Sequence, residues 1–121
     1  MHEFSDEFEK FYPRLDQRYA KSAYYFVLAT VASVVSRLSK PRHVSGQELL
    51  DGLIEFGRRN FGPLTGAVFS EWGIEESLDF GRIVFELIAV KLLGKTERDA
   101  IEDFAEYPGF DKLDEEFDFL A

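Results

Sequence analysis

Apolar positions along this chain recur at helical spacing. Phe4, Phe8, Phe11 and Leu15 fall at i, i+4, i+7 and i+11, a single helical stripe. Pro13 interrupts it, and the residue before a proline avoids the α region, so a short helix with a break near Tyr12 is expected. From about Lys21 to Leu38 the chain is apolar around most of a helical circumference, as in a helix buried between others. Val27, Thr30, Val31, Val34 and Val35 are β-branched and would suit a strand, but the uninterrupted length favours helix. Lys40-Pro41 ends it.

The clearest start signal follows. Ser45-Gly46-Gln47-Glu48 has the S-x-x-E form of a capping box, with Val44 and Leu49 placed for a hydrophobic staple. Leu49, Leu50, Leu53, Ile54, Phe56, Gly57 and Phe61 then give a broad helical face. Gly62-Pro63 stops this helix and opens a short one, about Leu64 to Trp72, which Gly73 ends as a left-handed cap. Ser77 is expected to cap a fifth helix, with Asp79 favoured in its first turn by the dipole and the free N–H groups. Phe80, Ile83, Val84, Leu87, Ile88 and Leu92 form its apolar face, and Gly94 ends it. Thr96-Glu97-Arg98-Asp99 resembles a further capping box, followed by apolar Ala100, Ile101 and Phe104. After the Pro108-Gly109 turn, Phe110, Leu113, Phe117 and Leu120 sit among acids as a last amphipathic helix or a mobile acidic strip.

These elements predict an all-α fold, six or seven short helices in one domain over residues 1–121, with 108–121 an acidic tail. The alternative is a mainly helical, winged-helix-like α+β fold with a small hairpin near residues 93–104. Gly52, Gly57, Gly66 and Gly81 each cost about 1 kcal/mol against Ala inside a helix. Close approach of neighbouring helices is the expected reason, since no phosphate-binding glycine pattern occurs.

Composition narrows the chemistry. The chain has 121 residues, enough for one core without disulfides or a structural metal. Its 13 Phe imply an aromatic-rich interior. With no cysteine, thiolate nucleophiles, disulfides and Cys-based metal sites are excluded. The start is acidic, without the basic and apolar regions of a signal peptide. The longest apolar stretch, Ala23 to Val35, is 13 residues, short of the roughly 20 that span a bilayer. A cytoplasmic protein is expected.

Charge is unevenly placed. The net is −9, yet residues 19–44 contain no acid and carry +4, whereas residues 96–121 carry −8. Such a protein repels phosphate backbones overall, so nucleic acid is disfavoured as a partner. Arg37, Lys40 and Arg42 form either a local basic patch or, as expected, a helix C-terminus with cations offsetting the dipole.

The stretch His43-Val44-Ser45-Gly46-Gln47-Glu48-Leu49-Leu50 is followed by Phe61-Gly62-Pro63, Glu71-Trp72-Gly73-Ile74, Asp79-Phe80-Gly81, Ile83-Val84-Phe85, Leu93, Asp99 and Glu102-Asp103-Phe104. This order resembles a small uncharacterised bacterial family largely restricted to Planctomycetes and Verrucomicrobia. Arg18-Tyr19, Ala23-Tyr24 and Phe26-Val27 fit the same resemblance, which covers roughly residues 16–111. That family has no assigned activity, so the resemblance implies no function.

No catalytic, cofactor or metal set emerges. Asp99, Glu102, Asp103 and Glu106 at i, i+3, i+4 and i+7 would share one helical face. Such acids can bind a hard divalent cation or supply a general acid, but a solvated face is expected. His43 reads as satisfying a helix end or turn before a ligand, and Trp72 as a core residue before a partner anchor. The interaction candidates are therefore His43, Trp72, Asp99, Asp103, Phe110 and Phe117. They favour a non-enzymatic protein-interaction or self-association module, in which acid-free and acid-rich regions pair within or between chains. The alternatives are a helix-turn-helix-like nucleic-acid binder, whose reading helix has only Thr65 and Ser70 to offer, and a carboxylate-dependent enzyme pairing Asp99 or Asp103 with His43 or another acid.

Overall fold

Pro13 shapes the first element. The computed structural model describes residues 8–15, 18–94 and 100–113; in it residues 8–11 are helical and Tyr12–Arg14 tighten into a 3-10 turn. The break near Tyr12 is where the proline placed it. Helix α1 (Lys21–Ser36) follows, and its first half is the centre of the core: Ala23, Tyr24, Phe26, Val27, Leu28 and Thr30 are all buried. Thr30 is tolerated there because its hydroxyl donates to the Phe26 carbonyl at 2.8 Å.

Helix α2 (Gly46–Phe61) starts on the expected box. The Glu48 N–H donates to Ser45 Oγ at 3.1 Å, and the Ser45 N–H donates to Glu48 Oε1 at 2.9 Å. Leu49, Leu50, Leu53, Ile54 and Gly57 form its buried face. A 3-10 turn (Gly62–Leu64) then leads into α3 (Thr65–Glu71). Gly73, at φ +95, ends α3 in a Schellman motif. Its N–H donates to Ser70 O, and that of Ile74 donates to Phe69 O, both at 2.9 Å.

Helix α4 (Ser77–Ala89) departs from expectation at both ends. Glu76, not Ser77, is the N-cap residue, because Asp79 reaches back and accepts from the Glu76 N–H at 3.1 Å. The Ser77 hydroxyl is drawn elsewhere, donating to the Phe104 carbonyl at 2.7 Å. At the other end the helix stops before Gly94. Lys91 takes the left-handed position, φ 68, and the N–H groups of Lys91 and Leu92 donate to Ile88 O and Leu87 O at 2.9 Å.

Four α-helices with described bounds, the helical residues 8–11 and four 3-10 turns stand among the described residues, fewer helices than the six or seven expected. The predicted sixth helix reduces to a 3-10 turn at Ile101–Phe104, its Thr96–Asp99 start lying outside the described residues. The predicted last helix is, as far as Leu113, a 3-10 turn at Phe110–Lys112. Pro108 bars its predecessor from the α region, and the 101–104 piece is held by its buried Phe104. The winged-helix alternative is corrected too: no strand occurs among the described residues, and the described part of 93–104 is turn and 3-10. Nor is any helix among them long and apolar enough to cross a membrane.

Glycines let these pieces meet. A Cβ on Gly81 would lie 2.8 Å from Phe104 Cβ, so the 101–104 turn packs directly on the α4 backbone. One on Gly52 would lie 2.6 Å from Val34 Cγ2, which locks the second half of α1 against α2. Helix α1 thus packs on both α2 and α4, α3 on α2, and the 101–104 turn on α4 and α2.

Candidate interaction cleft

Beyond Thr30, α1 leaves the core. Val31, Val34 and Val35 form one wall of a half-open cleft of about 410 Å3. Val84, Phe85 and Ile88 on α4 form the facing wall, while Val44 and Leu49 at the start of α2 and Phe104 with Leu93 close its ends. The cleft follows from helix lengths. Helix α4 stops at Ala89 and the chain turns away at Lys91, so the last turn of α1 runs on beyond α4 and packs on α2 alone among the described helices. Val35 is left 47% exposed. A volume of this size lies in the range that holds drug-sized ligands or a few partner side chains.

Polar groups gather at the mouth. Arg42 forms a two-pronged pair with Glu48, Nη1 to Oε1 at 3.0 Å and Nη2 to Oε2 at 2.7 Å, and Nη1 also donates to the His43 carbonyl. Arg42 beside it and the Ser45 N–H hold the Glu48 carboxyl down at about 2. The pair is exposed, so it orders the turn before α2 more than it stabilises the fold. Arg37 donates to Ser33 Oγ at 3.1 Å and lies 3.5 Å from Glu55. The cationic cluster at the end of α1 is therefore partly neutralised within the chain.

Of the six residues singled out, the cleft brings together two. His43 and Asp103 are both exposed and both line it. Asp103 Oδ2 accepts from the Ala100 N–H at 3.3 Å, and its carbonyl accepts from Gln47 Nε2 at 3.1 Å. Trp72 and Phe110 lie elsewhere, both half-buried and each in ring contact with Phe69. Trp72 packs on Phe26, Phe61 and Phe69, with centroids 5.3, 5.6 and 6.1 Å away. Phe110 stacks on Phe69 at 6.2 Å and meets Phe80 edge-on at 6.1 Å. Asp99 and Phe117 lie outside the described residues. Of the acids expected to share one helical face, Glu102, Asp103 and Glu106 do not stand on an α-helix, because residues 101–104 are 3-10 and the element ends there, while Asp99 lies outside the described residues. Among the described residues no group of three His, Cys, Asp or Glu could hold a metal ion.

Periodicity gave no sign of the buried polar network behind α4. Asp79 is 5% exposed. Its Oδ1 accepts from the Tyr19 hydroxyl and from Arg82 Nη1, both at 2.6 Å. Its Oδ2 accepts from the N–H groups of Glu75 and Glu76 at 2.8 and 3.1 Å. Burial pushes this carboxyl up, but the four donors together outweigh it and hold the group below the usual carboxylate value. Burial first, then the hydrogen bond to Asp79, raises Tyr19. Two turns along α4 the Tyr24 hydroxyl donates to Glu86, and burial with that carboxylate raises Tyr24 strongly. Asp79 and Arg82 stand at i, i+3 and were legible as a helical pair; the tyrosines, about 60 residues away, were not.

Set against models of known families, curated proteins and solved structures, the chain matches none.

Proposed function

We propose that this chain is a non-enzymatic protein-interaction module whose contact surface is the cleft between α1 and α4. The observation that carries the reading is the pair of apolar walls, about one helical turn each, left open among the described residues beside a well-packed core. Walls of that length and chemistry suit a short amphipathic segment of a partner protein, seated by its aliphatic side chains as in helix-in-groove recognition. The polar mouth at Arg42, His43 and Asp103 would set its direction more than its affinity.

The same geometry lends little to the alternatives. Helix α3 has seven residues; Thr65 on it is buried with its hydroxyl on Gly62 O, and the Ser70 hydroxyl is spent on Glu75. A base-reading helix would have few side chains to read with. His43 and Asp103 share the cleft, but both side chains stand exposed at its mouth.

Val35→Glu places a charge on the cleft wall at an exposed position, and Leu64→Glu, at a site 62% exposed and outside the cleft lining, is its control. Partner capture from expressing cells should fall at least tenfold with Val35→Glu, about 1.4 kcal/mol, and persist with Leu64→Glu. Equal capture by both variants removes the cleft from the reading. Sedimentation of the purified chain tests a second copy as the occupant: a dimer that Val35→Glu dissolves would replace the foreign partner.

A further inference from the structure

We infer that the partner segment seated in the cleft is basic: its aliphatic side chains enter between α1 and α4, and its Lys or Arg side chains meet an acidic ledge at residues 102–106. This deepens the reading above and rests on the cleft being the contact surface. At Ser45, Gly46 and Asp103 the cleft runs into a second, shallower hollow, lined further by Glu102 and Glu106. Apolar walls and acidic ledge thus form one continuous surface. Three bonds fix the ledge: Gln47 Nε2 to Asp103 O at 3.1 Å, the Ser77 hydroxyl to Phe104 O at 2.7 Å, and the Tyr107 hydroxyl to Asp51 Oδ1 at 2.7 Å.

The sign of the rim decides what it takes. Arg42 is spent on Glu48, and Arg37 and Arg59 both lie against Glu55. Glu102, Asp103 and Glu106 are exposed, and no base among the described residues pairs with them. The Asp103 carboxylate takes a backbone N–H, that of Ala100, at 3.3 Å. The N-terminus of α2 offsets about half a charge, against three carboxylates. Residues 95–99 sum to zero formal charge, and 1–7, 16–17 and 114–121 are net acidic, so the stretches outside the described residues bring no surplus of cations. Two copies of the chain, each at −9, repel one another, which favours a foreign segment over a second copy.

Peptide titration of the full-length protein, followed by its methyl signals, tests this. The probe is a helical peptide of about 14 residues built from Ala, Leu and Lys, with Leu in one stripe and Lys along its flank. One analogue carries Gln in place of Lys, and another scrambles the same composition. The Lys peptide should shift Val35 and Ile88 and leave Leu64 unmoved. Exposed pairs are individually weak, so three together predict about tenfold tighter binding than the Gln analogue, shrinking as salt rises. The double variant Glu102→Gln, Glu106→Gln, at two exposed positions, should remove most of that preference while the Gln analogue binds as before. Equal binding of the Lys and Gln peptides, a preference indifferent to the double variant, or equal binding of the scrambled peptide overturns the inference. Cleft shifts that Val35→Glu abolishes, without any preference for Lys, leave the contact surface standing and remove only its charge. Cleft methyls that no peptide moves, or binding indifferent to Val35→Glu, overturn the contact surface and the inference with it.

Discussion

Asp79 is a buried carboxylate with donors on both oxygens, and it ties three parts of the chain to one point: the Tyr19 loop, the turn after Gly73 and α4 itself. Asp79→Asn keeps the shape but turns an acceptor into a donor facing other donors. The expected cost is about 1–3 kcal/mol, read by denaturant unfolding. Acid should act in the same direction. Its folded-state value lies below the unfolded value of about 3.9, so its stabilisation is complete above that pH and disappears as pH falls through the folded value. Glu48, held at about 2, follows the same sign from an unfolded value of about 4.3. Melting temperature should therefore fall from about pH 5 toward pH 2, and less steeply in Asp79→Asn. Parallel curves for the two proteins would show that Asp79 is not a source of the slope.

Helix ends decide the shape of this molecule, and they were legible where the stop or start was local. Ser45 and Glu48, Gly62-Pro63, and Gly73 all work as their residue types require, because cap chemistry involves neighbours within a turn. Helix α4 shows the limit. Its N-terminus shifts by one residue because Ser77 has a partner 27 residues away, and its C-terminus comes before Gly94 because Leu92 turns back onto Leu87. The cleft was illegible for a related reason: it is a gap, defined by where α4 ends relative to α1, and no single segment carries it. Lys91 holds a left-handed conformation that costs an L-residue about 1 kcal/mol or more. Lys91→Gly should raise stability by about 0.5–1 kcal/mol in urea unfolding, with the transition slope unchanged. A destabilised variant would mean that the lysine side chain holds the turn.

At the scale of the whole molecule, the 101–104 turn works as a clasp. Phe104 is buried against Gly81 of α4 and would meet a Cβ on Gly46 of α2, while Ser77 and Gln47 hold the carbonyls of Phe104 and Asp103. Phe104→Ala should cost about 3–5 kcal/mol, because the glycines that admit the ring cannot fill the space it leaves. Unfolding monitored by far-ultraviolet and near-ultraviolet dichroism should still coincide if the clasp belongs to the same cooperative unit as α1 and α2. Two separated transitions would make it an independent flap.

Trp72 is the one tryptophan of the chain, and it sits half-buried among Phe26, Phe61 and Phe69, with its carbonyl taking the Ala20 N–H at 3.1 Å. It is outside the lining of the cleft. Its emission is thus a resident dosimeter of α1–α3 contact, bright to any loosening of the core and silent to traffic through the cleft. A change in that colour tells the experimenter that a variant has been damaged, and constancy tells that a loss of binding is a loss of binding.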